Sequence, residues 1–251
     1  MHDAICKRLS TIEKQEDVFI LHAVESGSRA WGFASPDSDY DVRFIYVRPL
    51  EFYLQLEPTR DVLEYSSNNL LDINGWDLNK SLRLLHASNP TFFEWCNSPL
   101  IYRTTPVFSQ VQALADQYFQ PKSGLWHYLS MAEGNYHRYL KDEHVRLKKY
   151  FYVIRPILAC RWILEHNCPP PMPFRQLVEA QLAPEIKPQV MKLLAYKISA
   201  KESKLTPHID ELNQYIEIQL ASLRQQITSL PARAPVDWQP LNRLFTEIVH
   251  G

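Results

Sequence analysis

Two β-rich runs, VFILHAVESGS (18–28) and YDVRFIYVRP (40–49), enclose the stretch that most restricts what this chain can fold into. Each is dense in β-branched and aromatic residues and ends in turn chemistry, so the pair predicts two strands. Between them, ESGSRAWGFASPDSDYDV (25–42) holds Gly27 and Gly32, two of only six glycines, followed by Asp37, Asp39 and Asp41 at alternate positions. Neither strand nor turn propensity asks for that acidic pattern. With a strand over 41–47, Asp39 and Asp41 sit two apart and point to one face near its start. Two carboxylates so placed repel each other unless a cation lies between them. Mg2+ takes oxygen ligands and completes its shell with water and phosphate, so a D-x-D strand edge suits a metal-bound nucleoside triphosphate.

The same stretch offers a place for the phosphates. Glycine lets backbone approach an anion closely, the Ser28 hydroxyl can donate to it, and a short helix begun by SRAWGF would add free N–H groups. Arg29, directly after the turn, is a candidate phosphate contact, and Trp31 a candidate pocket wall. A lone Gly-Ser is usually a turn and a lone D-x-D usually a solvated loop. In the order strand, Gly-Ser, loop, D-x-D, strand, the two weak signals become specific.

The texture of the chain changes near residue 120. Before it, DVLEY (61–65) and NLLDIN (69–74) read as two further strands. DLNKSLRLLHASNP (77–90) reads as a helix with Leu78, Leu82 and Leu85 at helical spacing, Asp77 in the capping position and Asn89-Pro90 as its stop. After it come long amphipathic stretches at 123–140, 145–166, 174–182, 185–203 and 208–230, then a loop-like tail from Pro231 to Leu241. Two domains are therefore expected, 1–119 and 120–251. The charge follows the same division: Lys plus Arg against Asp plus Glu is 10 to 16 over 1–119, 8 to 4 over 120–165 and 9 to 8 over 166–251. A locally basic middle segment opposite an acidic one suits a polyanion bound through a cation. No stretch approaches the roughly 20 apolar residues of a membrane span, and the N-terminus is too polar for a signal peptide, so a cytoplasmic protein is expected. Cys6, Cys96, Cys160 and Cys168 lack the spacing of a zinc site.

Gly27-Ser28 followed by Asp39-Tyr40-Asp41-Val42 resembles the pattern of the DNA polymerase β-type nucleotidyltransferase superfamily. Three segments, GSRAWGFASPDSDYDVRFIYVRP, DINGWDLNKSLRLLHASNPTFFEWCNSP and KKYFYVIRPILACRWI, look like its RNA-repair-pathway (RlaP/YcgL-like) branch. The likeness spans residues 27 to about 175. It implies an α/β (α+β) fold: a nucleotidyltransferase-type mixed sheet core followed by an α-helical domain that closes the nucleotide cleft. It also implies a third carboxylate from a later strand. Asp72 lies within the apolar run NLLDIN, where a charge needs a reason, whereas Asp77 has a helix cap to serve, so Asp72 is the preferred ligand and Asp77 the alternative.

Basic residues of the helical domain meet the triphosphate or base in superfamily members that resemble this chain, which directs attention to Lys148, Lys149 and Arg155. Helical spacing places Lys148, Tyr152 and Arg155 on one face. His127, His137 and His144 lack ligand spacing, and Phe92, Phe93 and Trp95 fit helix packing better than base stacking. The expected activity is Mg2+- or Mn2+-dependent transfer of a nucleoside monophosphate to an acceptor hydroxyl, with Asp39, Asp41 and Asp72 holding the metal and Gly27, Ser28, Arg29, Lys148, Lys149 and Arg155 the nucleotide. An RNA end is the acceptor that the resemblance implies. A protein or small-molecule acceptor differs only in what receives the nucleotide, and a non-catalytic nucleotide- or RNA-binding module would gain nothing from the acidic pair. Nothing in the sequence specifies the base or the oligomeric state.

Overall fold

A computed structural model describes residues 1–67, 70–201, 204–231 and 235–251; the first residue of the stretch read as a fourth strand, Asn69, lies outside them. The chain forms two compact units. One comprises Met1–Ala30, Asp39–Phe119 and Pro235–Gly251, the other Trp31–Ser38 and Gln120–Ala234.

The first unit begins with α1 (His2–Glu16), which carries Ile5, Leu9 and Ile12 at helical spacing, all buried, and ends at Asp17 in the left-handed conformation (φ 52°). Full burial of such side chains is worth about 2 kcal/mol each. There follow β1 (Phe19–Glu25), the four-residue α2 (Gly27–Ala30), β2 (Tyr40–Val47) and α3 (Leu50–Tyr53). Next come β3 (Val62–Ser67), β4 (Leu71–Asp77), α4 (Leu78–His86), α5 (Pro90–Cys96), β5 (Ile101–Thr104) and α6 (Pro106–Tyr118). The five strands make one mixed sheet in the order β3-β4-β2-β1-β5. Among the described residues β2 and β4 run parallel and the other neighbours in this sheet are antiparallel.

Alternation along the strands divides the sheet into two faces. Val42, Phe44 and Tyr46 of β2, with Ile73 of β4, join the α1 stripe in one apolar core. Gly75 belongs to this face for a steric reason: a Cβ there would lie 2.2 Å from the Phe44 ring. The residues between them, Asp41, Arg43, Asp72 and Asn74, point the other way. On that second side Trp76 stacks on Trp95 of α5 at 3.7 Å, and Phe92, Phe93 and Trp95 are all buried. His22 stacks on Phe108 of α6 at 4.0 Å, and burial lowers its pKa to about 4.

The second unit is helical: α7 (Pro121–Tyr139), α8 (Lys148–His166), α9 (Phe174–Gln181), α10 (Lys187–Ser199) and α11 (Asp210–Ser229). Two short strands that the sequence reading did not anticipate, β6 (His144–Arg146) and β7 (Leu205–Pro207), pair antiparallel within it. Thus the stretch read as one helix from 145 begins as a strand and turns helical only at Lys148. The segment Trp31–Ser38 belongs to this unit although it lies in the middle of the first unit's sequence. Phe33 is buried against Phe151 and Phe174 at 5.5 and 5.6 Å, its carbonyl accepts from Lys197 Nζ at 2.6 Å, and the Trp31 carbonyl accepts from the Phe174 N–H at 2.9 Å.

The chain ends in α12 (Gln239–His250), which rejoins the first unit. Trp238 stacks flat on His86 at 3.5 Å, Phe245 meets Tyr53 edge-on at 5.1 Å, and Tyr118 donates to the Asp237 carbonyl at 2.8 Å. The compact units differ from a division into 1–119 and 120–251 at two places, 31–38 and 235–251, because each segment packs its apolar side chains within the unit it belongs to. Among the described residues, no helix is long and apolar enough to cross a membrane.

Candidate active site

The end of β1, the Gly-Ser turn and the start of β2 are held together by backbone and buried side-chain hydrogen bonds. Ser26 N–H donates to the Asp41 carbonyl at 2.8 Å. Glu25, fully buried, accepts the Asp41 N–H at 2.8 Å through one oxygen and the Tyr102 hydroxyl through the other. Burial pushes the Glu25 pKa up, and the Tyr102 and Asp41 hydrogen bonds partly oppose that shift. Gly27 has φ +57°, and a Cβ there would lie 2.1 Å from Asp41 Oδ2. Only glycine can bring the turn this close to the carboxylate.

The parallel pairing of β2 with β4 sets Asp41 opposite Asp72 and Tyr46 opposite Asp77. Asp41 and Asp72 therefore stand side by side on one sheet face, while Asp77 lies at the far end. There Asp77 caps α4 by accepting the Asn79 N–H at 2.8 Å and also accepts the Tyr53 hydroxyl at 2.9 Å. Its burial raises its pKa to about 6, against those hydrogen bonds. The side chain of Asp72 is 52% exposed, so it stands at the solvent-facing edge rather than in an apolar environment as its neighbours in sequence suggested.

Between the two carboxylates lies Arg43. Its guanidinium donates to Asp72 Oδ2 at 2.7 Å and to Asp41 Oδ1 at 3.2 Å, and also to the Val42 and Asp72 carbonyls at 3.0 and 3.2 Å. Asp39 lies just before β2, exposed to solvent. Its carbonyl accepts from Arg29 Nε at 3.0 Å, and the Arg29 guanidinium sits 3.6 Å above the Tyr40 ring. Arg29 is thus engaged in bracing the strand's entry.

Among the described residues no three His, Cys, Asp or Glu side chains gather as a metal cluster, so Asp39 is not drawn in with Asp41 and Asp72. The donor set nonetheless fits a hard dication. Two carboxylates are aligned by strand register, a glycine cradle leaves room at Asp41, and the pair already holds a positive group.

In the helical unit, Lys149 lies at the first turn of α8, its ammonium 3.7 Å from the Tyr139 ring. Burial lowers its pKa, with Lys148 and Arg146 pushing the same way and Tyr139 opposing. It lines a cavity of about 380 Å³ together with Arg138, His144 and Arg146. Lys148 is half-buried beside it. Arg155 is elsewhere: it is 2% exposed and packs its guanidinium 4.5 Å from the Trp31 ring. Trp31 itself sits among Phe33, Tyr152 and Arg155 inside the helical unit. Sequence reasoning passed over Glu25 and Arg43. A charge closing an otherwise apolar strand, and an arginine two positions after an aspartate on the same strand face, were the available signals.

The chain is thus an α+β protein whose mixed sheet carries, in its first hairpin, a Gly-Ser turn folded onto one of two register-matched carboxylates. Over residues 1–247 the chain matches the family described as "RlaP: RNA repair pathway DNA polymerase beta family", and it belongs to that family. It is 43% identical over 251 residues to the uncharacterized protein YcgL of Bacillus subtilis (strain 168), covering 99% of this chain and 96% of that protein. It is also similar to a crystal structure of a nucleotidyltransferase-like protein from Exiguobacterium sibiricum 255-15, at 14% identity and a TM-score of 0.32, over 98% of this chain and 80% of that one.

Proposed function

We propose that the protein transfers a nucleoside monophosphate from a nucleoside triphosphate to an acceptor hydroxyl, releasing pyrophosphate, with Mg2+ or Mn2+ as cofactor. The observation that carries this reading is the placement of Asp41 opposite Asp72, directly under the Gly27 turn. Asp41 and Asp72 would hold the metal, and Asp39, which stands apart from them in this structure, would join from the adjoining loop once the ion is bound. When bound, the ion supplies neutralisation of phosphate charge and activation of the attacking hydroxyl.

The chain's own groups do the positioning. Gly27 lets the backbone approach a phosphate, and Ser28 follows as a hydroxyl donor. Glu25 accepts from the Asp41 N–H and Arg29 donates to the Asp39 carbonyl, so both ends of the D-x-D run are hydrogen-bonded before substrate arrives. Lys148 and Lys149 are the helical unit's candidate cations for an anionic ligand, Lys149 lining a basic cavity with Arg138 and Arg146. Arg155 is assigned to packing against Trp31, since a group so buried would have to leave the core to reach a nucleotide.

An RNA end is the favoured acceptor, supported by the description of the family as one of an RNA repair pathway. The test is incubation with each radiolabelled ribonucleoside triphosphate, Mg2+ or Mn2+, and either cellular RNA or cellular protein. Label in RNA ends that depends on Asp41 is the expected result. Label confined to protein or to a small metabolite would redirect the acceptor. Absence of labelling, together with no rise in melting temperature with any triphosphate and metal, would remove the enzyme reading.

A further inference from the structure

Arg43 lies within the acidic edge and holds both carboxylates at once. We infer that Arg43 is a resident counter-ion for Asp41 and Asp72, which a divalent metal must displace to bind, and that the displaced guanidinium then becomes a ligand for phosphate oxygens. The inference rests on reading Asp41 and Asp72 as metal ligands.

Three features of the geometry support it. The arginine sits on the same strand face as Asp41, two positions on, so strand alternation alone directs its side chain toward the pair. One of its terminal nitrogens, Nη2, bonds both carboxylates, at 2.7 and 3.2 Å, so a single positive group serves the pair. Its second nitrogen bonds two backbone carbonyls of β2 and β4, so the guanidinium is seated rather than loosely paired. Two adjacent carboxylates without a positive partner would repel each other across the β2–β4 register, and Arg43 removes that cost in the metal-free protein. A dication at the same oxygens would in turn repel the guanidinium. Released from the pair, a planar five-donor group beside a metal site is suited to phosphate oxygens. Metal loading would thereby be coupled to nucleotide, because the anion offsets the charge that the arginine otherwise sets against the metal.

The experiment compares wild type with Arg43→Gln, using Mn2+ alone as the probe. Free Mn2+ is followed by electron paramagnetic resonance, and thermal melts are run with and without the ion. Arg43→Gln should bind Mn2+ about tenfold more tightly than wild type. Without metal it should melt lower than wild type, and saturating Mn2+ should restore it. A merely structural arginine would lower the melt in a way that metal does not rescue. Equal Mn2+ affinity in the two proteins would overturn the counter-ion role while leaving the metal site standing. No Mn2+ binding by either protein would overturn both. Wild type alone gives a second measurement that does not depend on a variant folding: the 15N resonances of the Arg43 guanidinium should shift over the concentration range that saturates Mg2+ binding, and unchanged resonances at saturation would also overturn the inference.

Discussion

Gly27 carries two local constraints at once, a positive φ and a carboxylate oxygen 2.1 Å from where a Cβ would stand. Gly27→Ala should destabilise the protein by about 1–2 kcal/mol, from the left-handed conformation alone, and should push Asp41 out of line. Urea denaturation measures the first effect and calorimetric titration of metal and nucleotide the second; intact nucleotide binding would show that the turn does not serve the phosphates. Asp72→Asn tests the opposite strand. Its apolar neighbours in NLLDIN suggested that removing the charge would leave stability unchanged or raised. The structure places the carboxylate at the solvent-facing edge with Arg43, so a loss within about 1 kcal/mol is expected, together with loss of metal-dependent turnover. A clear gain in stability would mean that the Arg43 pair is not made in solution. The acidic residues themselves were visible in the sequence because D-S-D-Y-D fits no local structural need. Their arginine partner was not, because an arginine on a strand face reads as solvated until its neighbour strand is known.

At the scale of elements, capping and periodicity carried most of the information. Asp77, Leu78, Leu82 and Leu85 predicted α4, and Asp77 does accept the Asn79 N–H. That cap is also a pH-sensitive element. Burial raises the folded pKa of Asp77 to about 6, above an ordinary carboxylate near 3.9. The protonated form is therefore favoured by folding, and its contribution is complete at pH below about 4 and lost as pH rises through 6. From this group alone the protein should lose roughly 2–3 kcal/mol of stability between pH 4 and 7. Asp77→Asn caps about as well and should lack that slope, which chemical denaturation at several pH values will read; an identical slope in the variant would assign it to other groups. The helix α1 went unread although Ile5, Leu9 and Ile12 have the right spacing, because polar residues dominate the rest of its surface. The strands β6 and β7 were not legible at all, since three-residue strands carry too few side chains to show a period of two.

At the scale of the whole molecule, both units depend on segments distant in sequence. Phe33 completes the helical unit and α12 completes the sheet unit. Fragments 1–119 and 120–251 expressed separately should therefore each fail to give a native-like spectrum, the first lacking Trp238, Leu241 and Leu244 against its helices and the second lacking Phe33 beside Phe151 and Phe174. Circular dichroism and amide exchange on each fragment check this; a cooperatively folded 120–251 would show that the 31–38 segment is dispensable. By itself the sequence determined the strands around the Gly-Ser turn, the acidic edge and the long helices that follow, since each depends on residues a few positions apart: alternation along a strand, glycine at a turn, apolar spacing on a helix. Only the tertiary structure decided that Asp72 stands opposite Asp41, that Arg43 lies between the two carboxylates, that Arg155 is core rather than surface, and that the chain's last helix returns to the sheet. Those outcomes follow from the parallel register of β2 with β4 and from which apolar faces bury one another, and such pairings join residues far apart in the chain.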